Sequence, residues 1–598
     1  MASNILFSRI RPQADQPIVD SEAEKQSDVE SRTPARPIGV VDEQDAQIID
    51  SEQFTPDAQA GVKKIEAVTT VWTKGALYLA YTMIWIIYFV DSMQQSTTTT
   101  LTPYVTSSFG KHSTISATGI VSGIVGGLVK LPLAKVLDIW GRPQGYLMMI
   151  VLLTVGLVMM AGCNNVETYA AAQVFYWVGY NGLTYTLGIF IADTSTLRNR
   201  SFMFAFATSP YLATTWIGGP LADAFLEGPG FRWGFGSFAI ITPAITLPLF
   251  FVFYLNYSKA EKMGLITRTP SGRTLSESFK HYAVEFDVVG LFLIISGLAL
   301  FLLPFSLYSY QENTWRSPMI ISMLIIGGLL CIAFVFWERY YARVTYIPYS
   351  LLLDRTVLGA CILSGTLFVS YYLWATYFFS FLMVVNGLSI TEASYVGNTY
   401  TMGSCFFALF IGVIIRYTGK FKGLTLWFGV PVTMLGVGLM IHFRQPGVNV
   451  GYVVMCQIFI AFAGGTCVIC EQTAAMAATS HQFVAVVLAM EGMFASVGGA
   501  VGQAVAGAIW TGVFPQKLLE LLPEESKQYW PVIYGSLGAQ LSFPMGTPER
   551  DAINAAYGHA QRYMCIASVC ILAISWASVL LWKDINVKKF KQVKGTVF

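Results

Sequence analysis

Asp138-Ile-Trp-Gly-Arg-Pro-Gln-Gly145 is a charged turn between two long apolar stretches, and Arg416-Tyr-Thr-Gly-Lys-Phe-Lys-Gly423 echoes it downstream. Each has a charged residue, a Gly three positions later, a base beside that Gly, and a second Gly three further on. The offset between them (419 − 141 = 278) also lays Asp193 on Glu471, each at the expected inner end of an apolar segment. Two landmarks at one offset imply an internally duplicated chain. A parallel repeat of membrane helices, its halves related by an axis along the membrane normal, is a transporter architecture with substrate held near the midplane.

The composition agrees. Of 598 residues, 54% are hydrophobic and only 12% charged, and the mean hydropathy is +0.55. Apolar blocks recur at about twenty residues, the length a helix needs to cross the hydrocarbon layer. Helices are how a single apolar segment satisfies its backbone in lipid. The net charge of +2 implies no general attraction to nucleic acid.

Hydropathy predicts fourteen spans arranged 6 + 2 + 6. The first six lie at 74–98, 113–137, 145–163, 168–193, 200–222 and 235–257, and two more at 286–308 and 318–338. The last six lie at 357–384, 392–415, 423–443, 450–472, 482–512 and 562–582. The domains expected are an acidic tail (1–70), a six-helix bundle (72–258), and a loop with a two-helix insertion (259–356). A second bundle (357–582) follows, with a long external loop at 513–561, and then a basic tail (583–598).

Thirteen acidic and seven basic residues in the first seventy mark a segment unable to bury a core, hence disordered. No basic-then-apolar stretch opens the chain, so no cleaved signal peptide is expected. Lys259, Lys262, Arg268, Arg273 and Lys280 follow the sixth span, and Lys583, Lys588, Lys589, Lys591 and Lys594 follow the last. By the positive-inside pattern both termini are cytosolic.

Ionisable residues inside spans face a cavity or a partner. Asp91 shares a helical face with Tyr88, Ser92 and Gln95, where it is either a proton carrier and substrate contact or a structural carboxylate. Glu471 and Glu491 are further proton-coupling candidates, because desolvation disfavours a buried carboxylate's charged form. Asp138, Arg142, Asp193 and Arg198, with Lys130, Arg416 and Lys420 nearby, are expected to latch the inner gate. Aromatic faces with polar tips suit a large, nearly neutral ligand. Trp177, Tyr180, Asn181 and Tyr185 offer one in the fourth span, Tyr371, Trp374 and Phe378 in the ninth, and Asn398 and Tyr400 in the tenth.

His112, His281, His442, His481 and His559 lie at span ends or in loops, and no His/Cys/carboxylate spacing suits iron. Cys467 and Cys470 read as packing rather than zinc ligands. No nucleophile–base or cofactor motif points to an enzyme.

The turn at Asp138, Gly141 and Arg142 resembles the cytosolic loop motif of the major facilitator superfamily. "LPLAKVLDIWGRPQGY", "IADTSTLRNRSFMFAFATSPY" and "YGSLGAQLSFPMGTPERDAINAAYGHAQRYM" resemble the fungal siderophore–iron transporters, over residues 72–598. The resemblance implies an all-α membrane protein of the major facilitator fold with pseudo-twofold halves. It also implies a proton-coupled symporter, acting as a monomer in the lipid bilayer, that imports a ferric siderophore. Triacetylfusarinine C is the leading substrate, and ferrichrome, ferrioxamine or coprogen types are the alternatives.

Iron then travels only inside the chelate, with no resident cofactor. The expected membrane is the plasma membrane, with endosomal or vacuolar vesicles as the alternative. The rival reading is a drug/proton or glutathione/proton antiporter of the same fold. Gly219-Pro220 is followed by Leu221-Ala222-Asp223 rather than by more glycines, which favours symport. A receptor-like transporter that signals with little flux is a third reading, supported only by the acidic tail.

Overall fold

The computed structural model describes residues 71–109, 115–264, 274–308, 311–479 and 483–589. The acidic tail, Arg268, Arg273, His112, His481, Lys591 and Lys594 lie outside these residues, as do the side chains of Asp138 and Lys589. The described residues are helical and contain no strand.

In chain order the long helices begin with α1 (Lys74–Ser108), α2 (Ile115–Leu137), α3 (Arg142–Gly162) and α4 (Val166–Thr194). Next is α5, in two pieces (Leu197–Thr208 and Tyr211–Glu227), then α6 (Phe231–Lys262), α7 (Val288–Leu307) and α8 (Pro318–Tyr341). The remainder are α9 (Arg355–Val384), α10 (Ile390–Thr418), α11 (Lys422–Phe443), α12 (Val450–Ala477), α13 (Val484–Leu521) and α14 (Pro548–Leu580).

Twelve of these are long and apolar enough to cross a bilayer. The exceptions occupy the fourth and fifth predicted spans. α4 has the length, 29 residues, but carries Gln173, Asn181, Asp193 and four tyrosines. Most of its surface is buried against other helices, so its polar groups find partners in protein rather than lipid. α5 is interrupted at Ser209-Pro210.

The six-helix groups α1–α6 and α9–α14 pack as two halves. α7 and α8 pair as a hairpin, and only 22% and 17% of their apolar windows are buried. Those low figures leave the hairpin mostly facing the hydrocarbon layer. The first and last described residues lie at one end of the bundle, the near end. There Trp72 packs on Phe190 and Phe253, and Val587 N–H donates to the Gly419 carbonyl at 3.0 Å.

The repeated turns share a positive φ but not one conformation, since Gly141 (ψ 160°) precedes α3 and Gly419 (ψ 2°) ends α10. Gly141 has φ +112° and Gly419 φ +76°, a region that only glycine enters freely. The second landmark holds less well. Asp193 is one residue from the end of α4, but α12 runs six residues past Glu471, so Glu471 sits deeper in the bundle.

The expected external loop also shrinks. Residues 513–521 belong to α13 and 548–561 to α14. The rest folds into short helices at Glu524–Tyr529, Trp530–Gly535 and Leu537–Leu541. Sequence reasoning also missed an amphipathic surface helix, Leu275–Glu285, started by a Thr274/Glu277 capping box.

Gly419 is where this repeat is most exposed to test. A Cβ there would meet Asn586 Oδ1 at 2.0 Å and hold an L-residue in the left-handed region, a cost of about 1–2 kcal/mol before the clash. Gly419→Ala should therefore unfold at a lower temperature in detergent, read by intrinsic fluorescence. An unchanged melting temperature would remove this account of the turn.

Candidate substrate and proton sites

A belt of hydroxyls and amides crosses the first half near mid-depth. Gln95 of α1 accepts from Tyr180 of α4 at 3.2 Å and from Tyr211 of α5 at 3.0 Å. The two hydroxyls lie 2.6 Å apart. Tyr211 opens the second piece of α5, directly after the Ser209-Pro210 break, and that break brings its ring into the belt. Trp177 meets Tyr180 edge-on at 5.5 Å, and Asn181 donates to the Trp177 carbonyl at 2.9 Å. Gln95, Trp177, Asn181 and Tyr211 each keep part of their surface exposed, unlike the closed core behind them.

Behind the belt, Asp91 is 1% exposed and Tyr88 is buried. Asp91 Oδ2 has no hydrogen-bond partner, and Asp91 belongs to none of the described ion pairs. Gln94, one position before Gln95, instead accepts from Thr242 of α6 at 2.9 Å.

The second half answers with aromatic rings. Tyr371 lies 5.2 Å from Trp374 and 5.1 Å from Tyr400, and Trp374 lies 5.8 Å from Tyr400. Asn398, two residues before Tyr400, donates to Ser96 of α1 at 3.0 Å, so the two halves meet at this level. The helix carrying Trp374 breaks after Ala375 and resumes at Phe378. Arg444, fully buried, donates to the freed Trp374 carbonyl at 2.7 Å. Its guanidinium stacks on Phe378 and Phe381, 4.3 and 5.1 Å from the ring centres. Sequence reasoning missed Tyr211 and Arg444, since a tyrosine after a proline and a base at a span end carry no obvious site signal.

Closer to the near end lies a charged cluster. Glu471 of α12 and Glu491 of α13 are 1% and 5% exposed and stand close enough to interact, with Ser364 of α9 beside both. Ser364 is the hydroxyl that both carboxylates can engage, and Glu471 Oε2 makes no bond of normal geometry. Across the interface Lys130 of α2 donates to the Gly492 carbonyl at 3.4 Å and lies within electrostatic reach of Glu491. Lys130 therefore faces Glu491, which in turn faces Glu471.

The expected latch divides into separate contacts. Arg142 pairs with Asp193 at 3.2 Å, but this ties α3 to α4 within one half. Arg198 crosses between halves, donating from Nε to the Arg416 carbonyl at 3.2 Å, so Arg416 contributes backbone there. Lys130 joins Glu491 instead. Lys420 engages Thr418 through its backbone, its N–H donating to Thr418 Oγ1 at 3.3 Å and its carbonyl accepting from that hydroxyl at 3.5 Å. Tyr185 is a crossing contact too, donating to the Ala485 carbonyl at 2.7 Å, and Ser201 meets Thr473 at 2.8 Å.

The far end is also closed. Thr391 bonds Asp223 at 3.1 Å, and Leu537 N–H of the folded loop donates to Ser107 of α1 at 3.3 Å. Arg550 fixes that loop, donating to the carbonyls of Val384, Gln540 and Phe543. Contacts between the two halves are thus made at both ends of the bundle.

Comparison with known proteins places this geometry. The family profile of the Major Facilitator Superfamily matches residues 84–387. An MFS siderochrome iron transporter 1 of Ajellomyces capsulatus is 63% identical over 93% of this chain and 94% of its own length. The siderophore iron transporter mirB of Emericella nidulans is 44% identical over 94% of this chain and 92% of its own. A bacterial homolog of the human lysosomal transporter Spinster, inward-facing and occupied, shares the fold at 14% identity. Its TM-score is 0.50, with 85% of this chain and 97% of that one covered. This chain belongs to the siderochrome iron transporter family of the Major Facilitator Superfamily.

Proposed function

We propose that this protein imports ferric hydroxamate siderophores, triacetylfusarinine C foremost, in symport with protons by alternating access. The observation that carries the substrate class is the identity, across nearly the whole chain, to relatives named for siderochrome and siderophore iron transport. The mid-depth belt is chemically suited to such a cargo. A ferric hydroxamate is already fully coordinated, large and nearly neutral, so it is held by its organic shell. Tyr180, Tyr211, Asn181, Asn398 and the Tyr371–Trp374–Tyr400 rings supply contact area with few directed hydrogen bonds. Iron stays inside the chelate, and no resident cofactor takes part.

For coupling, one lysine cannot neutralise two carboxylates, so the Lys130–Glu471–Glu491 cluster has one negative charge over in a dry interface. A buried unpaired charge is costly, and a proton bound there removes the cost. Loss of the proton restores the charge and favours separation of α2 from α13. Asp91, behind the substrate belt, is the second acid on the same path. The near end is assigned to the cytosol by its basic loops, and the plasma membrane is the site of uptake.

Three outcomes follow. Siderophore-uptake-deficient yeast expressing the chain should accumulate radiolabelled ferric triacetylfusarinine C, and an uncoupler should stop it. Transport of ferrichrome alone would overturn the substrate, and uncoupler-insensitive accumulation would overturn symport. Glu491→Gln should abolish uphill accumulation while sparing substrate exchange down a gradient; full accumulation would exclude that carboxylate. Cysteines at Ser107 and Leu537 should cross-link across the far end, since the Leu537 N–H donates to the Ser107 hydroxyl at 3.3 Å. The bond should block uptake reversibly on reduction, whereas transport by the cross-linked protein would exclude opening at that mouth.

A further inference from the structure

The kink in α2 has an unusual support. Two helical segments, Ile115–Leu128 and Lys130–Ile139, join at Val129, whose N–H donates to the Val125 carbonyl at 3.1 Å and whose carbonyl accepts from Leu133 at 2.9 Å. The residue four beyond Leu128 is Pro132, which has no N–H to offer, so the Leu128 carbonyl is orphaned inside the bundle. The hydroxyl of Tyr346 donates to it. Tyr346 belongs neither to α2 nor to its half. It lies in the connection leaving the α7–α8 hairpin and is almost fully buried.

Tyr346 is itself held from the hairpin. Glu338, in a π-helical turn at the end of α8, accepts the Tyr346 N–H at 2.7 Å, and Phe334 meets its ring edge-on at 6.3 Å. Asp287 at the start of α7 stands beside Glu338, and Lys135 of α2 is within electrostatic reach of both. Burial, and then the charges of Glu338 and Asp287, push the Tyr346 hydroxyl well above its ordinary value, so it stays protonated and acts as a donor. Two residues beyond the kink, Lys130 reaches Gly492 and Glu491.

We propose that Tyr346 is a positioning residue for the Lys130–Glu491–Glu471 cluster, through which the two-helix insertion sets the charge spacing used in proton coupling. The inference rests on the coupling role assigned above. The groups facing that cluster are Lys130 from α2, Cys361 and Ser364 from α9, Glu471 from α12 and Glu491 from α13. Removing the Tyr346 hydroxyl frees the Leu128 carbonyl, lets the kink relax, and moves Lys130 relative to the acids. The substrate belt is carried by α1, α4, α5, α9 and α10, and α2 meets it at Gly126, beside Trp177 and Asn181.

The test is the dependence of ferric triacetylfusarinine C uptake on external pH. Tyr346→Phe should reach the membrane at normal abundance with unchanged KM, and its pH midpoint should move by about half a unit or more, the scale of a weakened charge contact. Pro132→Ala gives the Leu128 carbonyl an amide partner, so in that background Tyr346→Phe should add no further displacement. An unmoved profile, or an equal displacement in both backgrounds, overturns the proposal. Glu338→Ala, which releases the Tyr346 backbone, should displace the midpoint likewise. It decides the matter if Tyr346→Phe fails to reach the membrane, and an unmoved profile there also overturns the proposal. A wild-type profile in Glu491→Gln would instead overturn the coupling role beneath it.

Discussion

Every backbone carbonyl freed inside this bundle must find a donor within the protein, because lipid offers none. An unmet group costs several kcal/mol in hydrocarbon, whereas an ordinary hydrogen bond is worth about 1 kcal/mol net. That imbalance explains where this chain has placed its long donors. Tyr346 serves Leu128 at the α2 kink, Arg444 serves Trp374 at the α9 break, and Arg550 serves Val384 at the end of α9. Lys422 caps the end of α14, donating to the Leu580 carbonyl at 3.3 Å and to the Trp582 carbonyl just beyond it at 2.6 Å. The breaks and turns that shape the pathway persist because each has such a partner.

This use of cations leaves the buried acids short of them. Arg444 and Arg550 spend their guanidiniums on carbonyls and rings, and Lys130 gives its hydrogen bond to a carbonyl as well. Asp91 and Glu471 each keep an oxygen that makes no bond of normal geometry. An acid held in that way is more useful to a transporter than a neutralised one, since the free energy of its protonation depends on how tightly the halves close around it. On the proposed reading, substrate recognition and coupling occupy different depths. The hydroxyl and aromatic belt lies at mid-depth, and the two-carboxylate cluster lies nearer the end where Trp72 and Val587 sit.

Much of the fold was legible in the sequence because it depends on local rules. Gly141 and Gly419 were placed in one repeated turn, and both have the positive φ that such a turn requires. Asp91, Glu471 and Glu491 stood out as charges in apolar stretches, and all three are buried. What was lost depends on partners distant in sequence. Asp193 and Glu471 share an offset, yet one meets Arg142 and the other meets Glu491, because α12 continues past its acid. Lys130 was grouped with the near-end loop charges, whereas the α2 kink directs it across the interface. Tyr211, Arg444 and Tyr346 carry no span-level signal at all. Each matters because a proline or a helix break elsewhere leaves something for it to meet.

The central claim is that proton movement and siderophore movement are joined through Glu491, which faces Lys130, and Glu471 beside it. Purified protein in liposomes loaded with a pH-sensitive dye tests it most directly, when ferric siderophore is added in the absence of any imposed pH gradient. The account predicts acidification of the lumen as substrate enters wild-type liposomes, and substrate entry without acidification in Glu491→Gln. Siderophore entry into wild-type liposomes with no proton movement, or equal acidification in the variant, would contradict it.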